Sequence, residues 1–325
     1  MVAQIPAPES CPLCTRRAIF GHKETHYDQG ARYDLYECSL CRAQFWMPLK
    51  NPGAEWYEHD ARYSGANDDP PREPYWTHRK VISFLKGREG KVLDIGCGTG
   101  NFLSWAKENG WDAYGIDFDG NAVRAAKEIF GLPNVEQNSI EQYVANHRDY
   151  LGSFDLIGFF DVFEHLDNHN EFAEQVKLLL RAGGYVAMSM PYRNGSRFMQ
   201  KGDEPPRHLT RWDAQSLATF WERHGFEIAY IKPMRIPLYR VVIKFRHKWG
   251  RSFSMGLVDK AKRVVQTTNP EIKRKKSVPP FVRLVHALAK TKDFTLFGIP
   301  AFFYWLSLQP SHNRYDGLYA IMRKN

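Results

Sequence analysis

Apolar positions between residues 76 and 235 alternate between two spacings, and that alternation predicts the elements of one domain. Lys91–Ile95 and Phe154–Phe160 are short, nearly unbroken apolar runs, as strands buried on both faces require. Asn101–Asn109, Asp119–Phe130 and Asp213–His224 repeat apolar residues every three or four positions, as helices covering a core do. In chain order the pattern predicts a helix over about 76–86, the strand Lys91–Ile95, the helix Asn101–Asn109 and a strand from Trp111 to Asp117. A helix capped by Asp119 runs to Phe130, where Gly131 and Pro133 end it, and a short strand Asn134–Gln137 follows. Beyond Phe154–Phe160 come a helix Glu171–Arg181 stopped at Gly183-Gly184, a strand Tyr185–Met190, the helix Asp213–His224 and a strand Phe226–Lys232. Such alternation predicts a parallel sheet with helices on both faces.

The flanks depart from that rhythm. Residues 1–50 hold Cys11-Pro-Leu-Cys14 and Cys38-Ser-Leu-Cys41 around a strand-like span that includes Tyr33–Tyr36. Two such pairs can wrap one tetrahedral zinc, so Cys11, Cys14, Cys38 and Cys41 are the expected ligands of a zinc ribbon. Four thiolates leave no open coordination position, which makes the expected role structural; reduced thiols clustered without metal are the alternative. Residues 51–75 are rich in Pro, Asp and Gly and read as a linker, with Trp56, Tyr57 and Tyr63 able to rest on the following domain. Residues 236–315 carry helical apolar stripes at Leu238–Trp249, Leu257–Val265 and Phe281–Leu288. The uncharged run after them, up to Leu308, is broken by Gly298 and Pro300 and is shorter than the ~20 residues a spanning helix needs. An interfacial or re-entrant segment is the expectation left for it. Residues 316–325 close the chain with a strand.

Composition narrows the setting. Apolar residues at 43% and aromatics at 14% support a packed core rather than disorder. Met1–Pro8 shows neither a basic nor an apolar signal region, and the five cysteines then suggest metal or reduced thiols, so the expected location is cytoplasmic. The net charge of +9 is uneven: residues 231–325 hold 20 Lys/Arg against Asp259, Glu271, Asp293 and Asp316, a surplus of +16, which leaves −7 elsewhere. A surplus of that size points to an anionic partner. Three readings of 236–315 stay open: docking on the cytoplasmic face of an anionic membrane, a lid over a substrate, and, behind these, an RNA platform using Lys273–Lys276.

Chemistry concentrates at the turn after Ile95. Asp94 precedes Gly96, Gly98 and Gly100, so a strand feeds a glycine turn that lets backbone approach a nucleotide-like ligand. A pyrophosphate site wants Gly or Ala where Asn101 stands and no nearby anion. An acid here suits a ligand with an ammonium and a sulfonium, S-adenosylmethionine (SAM). Asp117, at the end of the second strand, lies where a carboxylate accepts ribose hydroxyls.

Taken together, Leu93-Asp-Ile-Gly-Cys-Gly-Thr-Gly100, Gly115-Ile-Asp117, Phe154-Asp-Leu-Ile157, Asp161-Val-Phe-Glu-His-Leu166 and Leu180-Arg-Ala-Gly-Gly184 resemble the class I SAM-dependent methyltransferases. The nearest branch is that of ubiquinone-biosynthesis and sugar methyltransferases. The resemblance covers about 76–235 plus the last strand. It implies a Rossmann-like α/β fold with a seven-stranded sheet whose last strand is antiparallel, and it makes 236–315 an insertion before that strand. On this pattern Asp94, Gly96, Cys97, Gly98 and Gly100 surround the methionine part of SAM, and Phe118 lies against adenine. Ser139 and Ile140 stand where the family often has an acid near the adenine amine, so side-chain contact there is in doubt; Phe160 completes the cofactor set. For the acceptor, His208 in Pro205-Pro-Arg-His-Leu-Thr-Arg-Trp212 and His165 are the candidate bases, with His208 favoured because its loop faces the acceptor. The expected reaction is methylation of a hydroxyl on a small molecule, sugar or lipid-linked glycan. The alternative is an rRNA or tRNA base methyltransferase using the ribbon and basic insertion to hold RNA; against it, no Asn/Asp-Pro-Pro-Tyr type motif follows the fourth strand. A binding module without catalysis is the third option.

Overall fold

The computed structural model describes residues 5–59, 75–195, 203–249, 297–311 and 314–325. Tyr63, the stripes at 257–265 and 281–288, and Lys273–Lys276 lie outside the described residues. The strands are β1 Phe20–Asp28, β2 Ala31–Cys38, β3 Gln44–Met47, β4 Lys91–Ile95, β5 Asp112–Asp117, β6 Val135–Gln137, β7 Phe154–Phe160, β8 Leu180–Pro191, β9 Thr210–Arg211, β10 Phe226–Arg235 and β11 Tyr315–Lys324. The helices are α1 Ala54–His59, α2 Arg79–Leu85, α3 Asn101–Glu108, α4 Gly120–Phe130, α5 Ile140–Asn146, α6 His169–Leu179, α7 Ala214–Arg223, α8 Leu238–Trp249 and α9 over 297–308.

Seven strands form the main sheet in the order β10-β11-β8-β7-β4-β5-β6. The pairs β4–β5, β4–β7, β5–β6 and β7–β8 are parallel, and β11 runs antiparallel to β8. This is the Rossmann-like methyltransferase sheet that the motifs imply. Its central strands are mostly apolar because helices cover both faces: Val92, Leu93, Leu156 and Ile157 are each at most 1% exposed. One face holds Val81, Phe102, Leu103, Val123 and Ala126, from α2 to α4. The other carries a ring cluster in which Phe159, Phe163, Phe172, Phe220 and Trp221 meet at centroid distances of 5.1–6.1 Å.

Local signals end the helices where the sequence says. Asp119 accepts from Asn121 N at 2.8 Å and Gly131 closes α4 at φ 62°. Ser139 with Gln142, and Asp213 with Ser216, make capping boxes on α5 and α7. The boundary between α6 and β8 differs most from expectation: α6 covers His169–Leu179, not Glu171–Arg181, and β8 covers Leu180–Pro191, not Tyr185–Met190. Leu180 pairs with Phe154 in the sheet, so β8 begins at once and takes Leu180 and Arg181 from the expected helix. β10 likewise runs on to Arg235, past the expected Lys232.

A second, four-stranded sheet has the order β1-β2-β3-β9. Its first three strands come from the cysteine-bearing segment, but β9 belongs to the loop after β8. Gln44 pairs with Arg211 and Phe45 with Thr210. Both sheets fall in one compact unit, and residues 235–316 fall with 194–199 in another. In that second unit α8 and α9 bury Val241, Phe245, Ala301 and Leu308, with Ile236, against one another. Trp305 Nε1 donates to Ile236 O at 2.8 Å and Arg240 pairs with Asp316 at 2.5 Å. Pro300, expected to interrupt the apolar run, falls within the described part of α9. Among the described residues no helix is long and apolar enough to cross a membrane.

Candidate functional site

The glycine turn between β4 and α3 is tied to β5 by its own backbone: Gly96 N and Cys97 N both donate to Ile116 O, at 2.8 and 3.1 Å. Gly96 (φ 70°) and Gly98 (φ 53°) both hold left-handed backbone. A Cβ on Gly96 would stand 2.5 Å from Val162 Cγ2, whereas one on Gly98 would meet nothing within 4 Å. The turn is thus closed at Gly96 and open at Gly98. Asp117 braces it, accepting from Gly98 N at 2.7 Å and from Asp119 N at 2.9 Å. Burial pushes the Asp117 carboxyl up from its ordinary range, and these backbone donors pull against the shift.

Asp94 is 3% exposed, and its Oδ1 has no hydrogen-bond partner among the described residues. Burial first, and the neighbouring Asp117 second, push its carboxyl well above the usual range. An orphaned buried acid beside an open glycine turn fits a cationic ligand group. Phe118, 49% exposed at the end of β5, offers a bare ring beside it in sequence. Ile140 is buried, and Ser139 Oγ accepts from Gln142 N in the cap of α5. Phe160 lies edge-on to His78 at 4.6 Å and to Phe102 at 5.2 Å. Cys97 is buried in the turn, its Sγ 3.7 Å from Gly98 O, apart from the other four cysteines.

The two candidate histidines meet. Their rings stand perpendicular with centroids 4.6 Å apart, and donor atoms of Glu164, His165 and His208 lie within 4.8 Å of one another. His208 is 4% exposed, and its Nδ1 is 2.5 Å from Asp203 Oδ1. His165 Nδ1 lies 2.7 Å from Arg207 O, so it carries the proton and donates there; Tyr57 Oη is 3.3 Å away. Burial, then the charge of His208, hold His165 well below the ordinary histidine range, so it is neutral at rest. Glu164 is 1% exposed, neither carboxylate oxygen is hydrogen-bonded among the described residues, and Oε1 lies 3.9 Å from His165 Nε2. Burial and Asp161 push its carboxyl well up, favouring the protonated form. Asp161, at the mouth of β7, holds a left-handed φ of 56°.

The four thiols of Cys11, Cys14, Cys38 and Cys41 gather within 4.8 Å. Cys11–Cys41 and Cys14–Cys38 are 3.8 and 3.9 Å apart, and zinc–sulfur bonds of ~2.3 Å in a tetrahedron give sulfurs about 3.8 Å apart. Cys14 N and Leu40 N each point at a cysteine sulfur at 3.4 Å, the turn each pair wraps. A hydrogen bond from Cys11 draws Cys41 down to about 5, toward thiolate, even without metal. The donor set therefore fits zinc.

Residues 72–231 match a family described as a methyltransferase domain. That span coincides with the β4–β10 sheet, the glycine turn and both histidines. The domain belongs to the class I SAM-dependent methyltransferases. Its curated relatives include a ubiquinone biosynthesis O-methyltransferase of Bordetella avium (strain 197N), 25% identical over 150 residues, which span 45% of this chain and 60% of the relative. A tRNA U34 carboxymethyltransferase of Idiomarina loihiensis is 28% identical over 163 residues, 47% of this chain and 50% of that protein. The chain thus spans about 60% of the length of the ubiquinone relatives it matches. A solved SAM-dependent methyltransferase from Archaeoglobus fulgidus superposes with TM-score 0.47 at 18% identity, covering 76% of this chain and 91% of that one.

Within the methyltransferase domain the structure brings Asp94, Gly96, Cys97, Gly98, Gly100 and Asp117 together at the sheet's carboxyl edge, and His165 with His208 in a separate cluster. Sequence reasoning missed Asp203, Glu164, Tyr57 and Arg211 as members of that cluster. An acid five positions before His208 offers no periodic signal, and the burial of Glu164 shows only once the loop closes over it.

Proposed function

We propose that this chain transfers a methyl group from SAM to a hydroxyl of a small-molecule, sugar or lipid-linked glycan acceptor, with His208 as the base. SAM supplies an electrophilic methyl. The orphaned carboxylate of Asp94, together with the open side of Gly98, would hold its cationic end; Asp117 would meet the ribose and Phe118 the adenine. The observation that carries the acceptor half is the buried Asp203–His208 pair. A carboxylate on Nδ1 fixes the proton there and leaves Nε2 as the lone pair that can take a hydroxyl proton as the methyl arrives. His165, neutral and bonded to Arg207 O, braces that loop rather than shuttling protons. Similarity to O-methyltransferases of ubiquinone biosynthesis supports hydroxyl chemistry. The tRNA-modifying relative keeps RNA as the alternative acceptor.

We further propose that Cys11, Cys14, Cys38 and Cys41 hold a structural zinc, as their spacing supports. The second unit supports an acceptor met at a cytoplasmic lipid surface. Ile299, Phe302, Phe303 and Leu306 stand at i, i+3, i+4 and i+7 on α9, 41–65% exposed, in the most basic third of the chain. The test is incubation with methyl-labelled SAM and separated lipid, glycan and RNA extracts. Label in a lipid or glycan fraction, lost with His208→Gln, is expected; label in RNA, or uptake unchanged by the substitution, overturns the reading.

A further inference from the structure

We propose that the cysteine ribbon is the mount of the acceptor loop, with Glu24 and Arg211 as positioning residues for the Asp203–His208 pair. The pairing of β3 with β9 makes the end of that loop a strand of the ribbon's own sheet, and Trp46 N donates to Leu209 O at 2.9 Å, next to His208. Arg211 is the keystone. Its guanidinium lies over the Trp46 ring at 5.2 Å and bonds Glu24 Oε1 through Nη1 at 2.5 Å. On its other side Nη2 donates to Asp203 O at 2.8 Å, and Nε stands 3.4 Å from Asp203 Oδ2. An unbroken polar path therefore leads from the ribbon strand β1 to the His208 ring. A second arm grips the other histidine: Asn51, just past β3, donates through Nδ2 to His165 O at 2.7 Å and through its backbone N to Asp167 at 2.8 Å.

The geometry has an electrostatic consequence. Asp203 is deeply buried, which pushes its carboxyl up to about 7, while Arg211 and then Arg207 pull it down. Arg211 therefore sets how readily the Asp203–His208 pair accepts one further proton. The other groups facing the ring are Glu164, His165 and Asp161 on the turn after β7, and Tyr57 of α1 beside His165. The ribbon so placed is part of the acceptor site, not an appendage for an extended nucleic acid. The inference rests on the reading of His208 as the acceptor's base only for its catalytic meaning.

The test is nitrogen-15 histidine NMR of the full, zinc-loaded chain, which follows the His208 ring nitrogens through a pH titration and needs no acceptor. Arg211→Met removes a cation beside the pair, so the midpoint for protonating His208 rises by about one pH unit. Arg211→Lys keeps the charge and brings the midpoint most of the way back. Glu24→Gln removes an anion and moves it the opposite way, by a few tenths of a unit. Opposite shifts from removing a cation and removing an anion are not produced by general loosening. Midpoints that stay at the wild-type value in both Arg211→Met and Glu24→Gln, or that shift in the same direction, overturn the proposal. If the midpoints shift as expected while His208→Gln leaves label uptake intact, the mount stands and the base reading falls. If His208→Gln abolishes uptake while the midpoints do not move, the reverse holds.

Discussion

Replacing Asp94 with Asn should stabilise the unliganded chain and weaken its hold on SAM. The Asp94 carboxyl is 3% exposed, its Oδ1 has no hydrogen-bond partner among the described residues, and the buried acid Asp117 lies near it. Its folded pKa lies above the unfolded value, so the folded state binds the extra proton. Between those two values stability falls as pH rises, the reverse of a salt-bridged acid. Asn keeps the shape and removes the ionisation. A buried polar group left unsatisfied costs about 1–3 kcal/mol, and at about 2 °C or slightly more per kcal/mol the melting temperature without SAM should rise by roughly 2–8 °C at pH 8. At pH 5 the gain should shrink, because the wild-type acid is then protonated in the folded state. For SAM the sign reverses: losing a charged hydrogen-bond partner worth about 1.5–3 kcal/mol lowers affinity by roughly 10–150-fold. Binding of the cation should also pull the Asp94 proton off, so wild-type affinity climbs with pH while that of Asp94→Asn stays flat. Calorimetry in buffers of different ionisation heats reads the released proton, and differential scanning reads the melting temperature. A variant that binds SAM as the wild type does, or that melts lower without SAM, refutes the assignment.

Three further outcomes follow from other parts of the molecule. Phe118→Ala should weaken SAM binding by roughly 5–150-fold, since an aromatic–base stack is worth about 1–3 kcal/mol, and leave the melting temperature nearly unchanged because the ring is 49% exposed; equilibrium binding and thermal melts check both. Cys14→Ser, at a site 1% exposed, should lose the bound zinc, open the ribbon to limited proteolysis and depress methyl transfer while SAM affinity holds, measured by metal analysis, digestion and calorimetry. Phe303→Glu, changing a ring 65% exposed on α9, should abolish flotation with phosphatidylglycerol vesicles at low salt, whereas the wild-type chain floats and is released by high salt.

The residues of the proposed donor half stood out in the sequence because they are local to one another. Asp94, the three glycines and Asp117 sit on contiguous strand-turn-helix segments, and the buried strands Lys91–Ile95 and Phe154–Phe160 have the limits their apolar runs predict. Where the sequence pattern erred, a distant partner decided. The leucine run Leu178–Leu180 carries helical spacing past Leu179, but pairing of Leu180 with Phe154 turns the chain into β8.

In the proposed acceptor half, His208 and His165 stood out in the sequence but their setting did not. β9 is two residues long, and its partner β3 lies more than 160 positions earlier, so no window of sequence carries the pairing. Asp203, Arg211 and Glu24 acquire meaning only once that strand is laid down. The C-x2-C pairs announced a metal knuckle but not what it holds. Pairing of β3 with β9 lays the loop that carries His208 onto the ribbon's own sheet, with β1 as the edge strand on the far side. On the proposal above, the ribbon shapes the acceptor site through that strand pairing.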